Sequence, residues 1–353
     1  MSDLNSTQLK SDPKADPKSS PESSPESSLK ADLKAFAVER GADGVGIVSA
    51  AAFEAKVPNL QKPSSTGLGY RSIVAFYRHM MTGAFLTRHV PLQSHNGHLT
   101  MDDIERLQME LIDWLERRGH LGVAPPPEGA FLDLDPRKPM GTLDLKWVCE
   151  EAGIGTVGLN LNFLSPNYAS RVYLGCIMTD AEMEPDPPME RDLCPGVACG
   201  RCGVVCPPDA IPRDVALGAG LRDYRALNKR QCSLGAERIG IRSIHLNLES
   251  VLNSDQPFDA DAVLESPYMR DWWQSVNSKV GAFAACYECM YVCPVGDDYK
   301  PMYKAPERVG DLPRPGVKHH KQDGRHKINW LGPPEERVKI FNRDSELGKA
   351  LQK

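Results

Sequence analysis

Two cysteine runs of nearly the same form constrain this chain more than any other feature. The first reads Cys194-PGVA-Cys199-GR-Cys202-GVV-Cys206-Pro207, and the second reads Cys286-YE-Cys289-MYV-Cys293-Pro294. Cys232 stands alone between them, so eight of the ten cysteines fall between Cys194 and Cys293. Disulfides belong to oxidising compartments, and the sequence points to a reducing one. No apolar run reaches the roughly 18 residues of a membrane span. Residues 1–28 carry neither a signal-peptide apolar stretch nor a twin-arginine pair. The expected setting is therefore the cytoplasm, away from membrane, and the expected partner of the thiols is metal.

A cubane iron–sulfur cluster needs four thiolates converging on its corners. The C-x2-C-x3-C-P run is a variant of the ferredoxin pattern, which wraps backbone around three corners and takes the fourth ligand from elsewhere. In two-cluster ferredoxins the cysteine before proline ligates the other cluster. That rule assigns one 4Fe–4S cluster to Cys194, Cys199, Cys202 and Cys293, and a second to Cys206, Cys232, Cys286 and Cys289. Cys232 enters by elimination, and Cys194 departs from the pattern, with four residues between it and Cys199 instead of two. Cys149 and Cys176 are left as ordinary buried cysteines. Structural zinc favours separated C-x2-C pairs and has no use for two such runs.

The rest of the chain must then supply what the clusters serve. Its 353 residues exceed what a bare ferredoxin needs. Residues 1–28, with the repeat SSPESSPESS, bury too little apolar surface to fold and are expected as a disordered tail. Residues 29–190 interleave strands and helices. A helix is predicted over 29–40 with Ser28 as N-cap, strands at 44–48, 71–77, 130–134 and 171–179, and helices over 101–118 and 143–152. Thr100 and Asp103 form a capping-box-like pair at the start of the 101–118 helix. His89, His95 and His98 fall in the loop expected before it. This interleaving predicts an α+β or α/β domain. Residues 191–298 read as a ferredoxin-like module holding the two clusters, with a helical insert near 255–282. Residues 299–353 read as an extended C-terminal tail, basic over 304–326. A net charge of −5 gives no general pull towards nucleic acid.

The stretch Ala152-GIGTVGLNLNFLSPNYASRVYL-Gly175 carries Gly153, Gly155 and Gly158 close together, and closely spaced glycines let backbone approach a bulky ligand. The string also matches G-x-G-x-x-G, but it follows a predicted helix instead of a strand, which argues against a dinucleotide fingerprint. A tight structural turn is the other reading.

This stretch, the following Asp180-AEMEP-Asp186 segment and the C-x2-C-x3-C-P run together resemble the shared core of epoxyqueuosine reductases and reductive dehalogenases, over about residues 70–295. The resemblance implies a nitroreductase-like α+β core binding cobalamin, with both clusters feeding electrons to the cobalt. It implies that Gly153, Gly155, Gly158, Asn160, Pro166, Tyr168 and Ser170 line the corrinoid. The family has Lys or Arg after the third glycine, where this chain has Leu159. A catalytic aspartate is expected before the glycine segment. A gapless match places Pro139 there, leaving Asp133 and Asp144 as the carboxylate candidates.

The expected activity is reductive cleavage of a small molecule, dehalogenase-like, fed by an external low-potential donor such as a ferredoxin or flavodoxin. One rival is epoxyqueuosine reduction on tRNA, which the acidic balance disfavours. Another is a non-catalytic electron carrier or a reductive activator of a separate corrinoid protein.

Overall fold

The computed structural model describes residues 25–57, 62–87, 90–127, 142–206, 209–211, 232, 241–253, 255, 257, 259–266, 268–269, 272–273, 286–298, 317–322 and 325–330. The strand expected at 130–134, Asp133, Pro139, His89 and most of the 255–282 insert lie outside those residues.

Short apolar runs become strands where predicted. Strands β1 (Gly44–Ser49), β2 (Ser72–His79), β3 (Gly122–Val123) and β6 (Val172–Thr179) form one antiparallel sheet in the order β1-β2-β6-β3. Phe76 of β2 pairs with Val45 of β1 on one side and with Gly175 of β6 on the other. A separate hairpin joins β4 (Thr156–Val157) to β5 (Phe163–Leu164).

Strand alternation divides the core into two layers. Val74 and Phe76 point to one face, where Leu33 and Ala37 of α1 (Pro25–Glu39) and Ile104, Leu107, Leu111 and Leu115 of α4 (Val90–Glu116) cover them. Ile73, Ala75 and Tyr77 point to the other, against Phe53 of α2 (Ala50–Glu54), Val148 and Cys149 of α5 (Leu145–Glu151), and Phe163. A strand covered on both faces reads as a continuous apolar run, which is why β2 was visible in the sequence. The architecture is a mixed helix-and-sheet one. Among the described residues no helix is long and apolar enough to cross a membrane.

Three expectations are corrected. Helix α1 already covers Pro25 onward, inside the stretch expected as tail and ahead of the Ser28 cap. Helix α4 begins at Val90, not at residue 101, so His95 and His98 are helical. Thr100 does not cap, because its Oγ1 bonds back to the Asn96 carbonyl at 3.1 Å within the helix. Gly97, which reads as a loop residue, is needed for a close approach: a Cβ there would lie 2.3 Å from the Tyr287 hydroxyl and 2.8 Å from that of Tyr173. Finally, the stretch expected as an extended tail contains a hairpin of β7 (Val317–Gln322) and β8 (Arg325–Trp330), with Gln322 paired to Arg325. The intervening Asp323-Gly324 is a strong two-residue hairpin signal.

The acidic segment after β6 staples the layers. Asp180 Oδ1 accepts the Leu121 N–H at 2.8 Å, fixing the approach to β3. Asp186 accepts the Ile47 N–H at 2.8 Å and pairs with Lys30 at 2.8 Å and Lys34 at 2.9 Å, tying α1 to β1. Burial alone would raise the Asp186 pKa, but the two lysines and the backbone donor outweigh it and hold the carboxyl below its ordinary value. A depressed native pKa contributes stability above the unfolded value, and that stability is lost as pH falls through the native one. Asp186→Asn should therefore lower the melting temperature at pH 7. The gap to the parent protein should close progressively below about pH 4, as followed by circular dichroism.

Candidate metal centre

The cysteines of the two runs meet at one end of the α+β unit. Gly196–Ala198 form a 3-10 turn and Arg201–Val205 form α6, so the first run wraps tightly around its own sulfurs. The second run turns through α9 (Glu288–Tyr291), and α7 (Ile241–Leu252) and α8 (Ala260–Leu264) are among the described elements between the runs. Cys202 interacts electrostatically with Cys194, Cys293 and Cys199. Cys289 interacts with Cys286 and Cys232, and also with Cys202 of the first run. Cys206 is buried beside Leu159, Ala210 and Ile211, in a group that Cys194, Cys202, Cys232 and Cys289 pack against. Cys149 and Cys176 lie elsewhere, fully buried in the sheet core, and burial pushes both thiols well up.

The donor set suits a cation that must displace protons. Burial pushes the Cys202 thiol up to about 12, and the neighbouring sulfurs add to the effect. Thiols in that setting ionise only when a metal supplies the compensating charge. N–H groups also point at the sulfurs. Leu159 N lies 3.5 Å and Gly196 N 3.4 Å from Cys194 Sγ, Ala210 N lies 3.2 Å from Cys206 Sγ, and Asn162 Nδ2 lies 3.5 Å from Cys289 Sγ. Donors of this kind stabilise a thiolate-bound cluster and tune its potential. Among the described residues no three His, Cys, Asp or Glu side chains form a single-ion site.

The loop of the β4–β5 hairpin reaches the sulfurs. It closes through the Gly158 N–H to the Asn162 carbonyl at 2.9 Å and the Leu161 N–H to the Gly158 carbonyl at 2.9 Å. Leu161 adopts a left-handed φ of 55°, unusual for a side chain with a Cβ. Asn160 Oδ1 accepts the Asn162 N–H at 3.2 Å, and Asn160 also bonds Cys289. Leu159, where the resembled family carries a cation, is buried against Cys206.

The three glycines are spent on the protein's own chain. A Cβ would lie 2.1 Å from the Pro187 carbonyl oxygen at Gly153, 2.2 Å from that of Leu164 at Gly155, and 2.9 Å from the Leu164 side chain at Gly158. The turn with Pro166, Tyr168 and Ser170 faces the end of the second cysteine run: the Asn167 carbonyl accepts the Asp297 N–H at 2.7 Å. Ser170 Oγ is buried without a hydrogen-bond partner among the described residues, so this turn has a polar group to offer a cofactor. Asp144 is the N-cap of α5, its Oδ1 accepting the Trp147 N–H at 3.4 Å.

Two features were missed from sequence. The first is Arg171, 1% exposed, which bonds Asp298 and the carbonyls of Met290, Cys293 and Val295. Its acidic partner lies 127 residues away, so no local pattern marks it. The second is a His–carboxylate pair: Asp43 Oδ2 accepts the His79 N–H at 2.7 Å and lies 2.8 Å from its Nδ1. The His79 ring stacks on Tyr168 with centroids 4.6 Å apart. Burial, with Asp43 adding, pushes the neighbouring Tyr77 up to about 12.

Comparison with known proteins places these features in context. No family model matches the chain. Epoxyqueuosine reductase of Bacillus cereus is 41% identical over 71 residues, covering 20% of this chain and 18% of that protein. That of a Synechococcus species is 42% identical over 69 residues, 20% of each. The chain thus spans about a fifth of the length of the curated relatives it matches. Among solved structures, an epoxyqueuosine reductase crystallised with an epoxyqueuosine-modified tRNA-Tyr stem loop is 19% identical, with a TM-score of 0.45 over 81% of this chain and 70% of that one. A reductive dehalogenase described as B12-dependent is 15% identical, with a TM-score of 0.48 over 84% of this chain and 37% of that one. Over about a fifth of its length the chain is similar in sequence to epoxyqueuosine reductases.

The glycines give a direct test of the hairpin. Gly155→Ala must displace backbone and should cost about 1–3 kcal/mol. Gly158→Ala meets a movable leucine end and should cost less. Urea denaturation of both variants checks the order.

Proposed function

We propose that this chain is an iron–sulfur reductase holding two 4Fe–4S clusters in a ferredoxin-like module, set against a nitroreductase-like α+β domain that carries the substrate and a corrinoid. Cys194, Cys199, Cys202 and Cys293 would hold one cluster, and Cys206, Cys232, Cys286 and Cys289 the other. The observation that carries this reading is the crossing of the runs: Cys293, the proline-flanked cysteine of the second, interacts with the sulfurs of the first. That exchange is the signature of two-cluster ferredoxins.

A bound corrinoid would supply a strongly reducing cobalt for cleavage of a substrate bond. The chain's own part is to accept electrons singly, hold the clusters dry and in register, and present the turn at Tyr168 and Ser170. The proposed chemistry is reductive cleavage of a small substrate with electrons from a small low-potential carrier protein. Epoxyqueuosine reduction on tRNA is the second reading, favoured by the names of the sequence relatives. Asp144 is left to its capping role, which engages the carboxylate at the helix start.

Protein purified anaerobically from cobalamin-supplied cells should contain about eight irons and eight sulfides per chain, with one corrinoid. Zinc without iron would sink the cluster reading. Iron without cobalt would leave an electron carrier or activator. Salt-sensitive binding of an epoxyqueuosine-modified tRNA stem loop, with turnover, would select the second reading over a small substrate.

A further inference from the structure

Two separate devices hold the second cysteine run to the α+β unit, and they act on different parts of it. The earlier part is held by aromatic packing. Tyr287 meets Phe85 edge-on with centroids 5.8 Å apart and lies 3.4 Å, hydroxyl to hydroxyl, from Tyr173, while Asn162 donates to Cys289. The later part is held by Arg171. Its Nε and one Nη2 hydrogen go to the Asp298 carboxylate at 2.6 and 2.5 Å, and the other Nη2 hydrogen goes to the Val295 carbonyl at 2.9 Å. Its Nη1 hydrogens go to the carbonyls of Met290 and Cys293 at 3.0 and 2.9 Å. All five guanidinium donors are thus used, which is what a cation at this depth requires. Three of the four residues they reach, Cys293, Val295 and Asp298, belong to the segment that carries the proline-flanked cysteine.

We infer that Arg171 is a positioning residue chiefly for one sulfur: it delivers Cys293 to Cys194, Cys199 and Cys202 through the carbonyl of Cys293 itself. Near the other sulfurs its guanidinium reaches the Met290 carbonyl, next to a Cys289 that Asn162 holds independently. The inference rests on the proposed clusters. Loosening the clamp leaves one cluster with three firm ligands and the other with four. A three-ligand [4Fe–4S]2+ cluster treated with ferricyanide releases one Fe2+ and gives one electron to the oxidant, leaving [3Fe–4S]+. The fully ligated cluster stays intact.

The test uses the full chain, prepared anaerobically, as Asp298→Asn and Arg171→Lys, with Cys293→Ser as the reference for direct loss of the ligand. Iron, sulfide and the electron paramagnetic resonance spectrum are read after brief ferricyanide treatment. Both clamp variants should lose about one iron of about eight with sulfide unchanged, and show a three-iron signal approaching one per chain, matching Cys293→Ser. Retention of every iron would overturn the inference, as would loss of both clusters in parallel. Asp298→Asn keeps the side-chain size and all three carbonyl acceptors, so it decides the matter if Arg171→Lys does not fold. Failure of both to fold would mean the clamp holds the whole module, and the assignment to one sulfur would be wrong. A parent protein lacking about eight irons would instead defeat the cluster reading itself.

Discussion

The join between the sheet unit and the cysteine module takes its direction from one buried cation. Arg171 sits immediately before β6, the strand that pairs with both β2 and β3, so the guanidinium is anchored to the most constrained part of the sheet. Desolvating a guanidinium is expensive, and the Asp298 carboxylate with three carbonyls repays it only in one geometry. That requirement turns a packing contact into a directional one. Apolar faces alone would allow the 286–298 loop to slide, whereas five hydrogen bonds to four residues fix its height and rotation. The Asn167 carbonyl, accepting from Asp297, repeats the same join one turn away.

The hairpin loop at 158–162 completes the joint from the other side. It belongs to the sheet unit through Phe163, which packs in the core with Tyr77 and Val148. Its end belongs to the cysteines: Leu159 donates to Cys194 and Asn162 to Cys289. The two sulfur groups therefore share one short loop as a common hydrogen-bonding neighbour. Two of the closely spaced glycines serve this arrangement, because the loop can be seated only if Gly153 and Gly155 allow the chain to touch Pro187 and Leu164.

What was legible in the sequence follows from how local each signal is. Cysteine spacing is local, and so are the apolar runs of β1, β2 and β6, whose two-sided burial needs no context to read. The start of α4 was hidden because Gln93, Ser94, His95, Asn96 and Gly97 look like a loop. They are helical because Gln93 and Ser94 are buried and Gly97 lets two tyrosines approach, facts that depend on residues far along the chain. Arg171 with Asp298, and Asp43 with His79, were invisible for the same reason: neither partner announces the other. The hairpin at 317–330 was in principle readable from Asp323-Gly324, but its basic composition suggested a tail instead.

The placement of Cys149 and Cys176 has a consequence for how such a chain is loaded. Ten thiols must be told apart if eight are to receive iron, and nothing in the chemistry of a cysteine side chain distinguishes them. Here the discrimination is made by topology. The two that do not belong lie sealed between β2, β6 and α5, out of reach of any delivery protein once the sheet has formed. Folding itself would do the sorting, and an iron donor would meet only the sulfurs left outside the sealed layer.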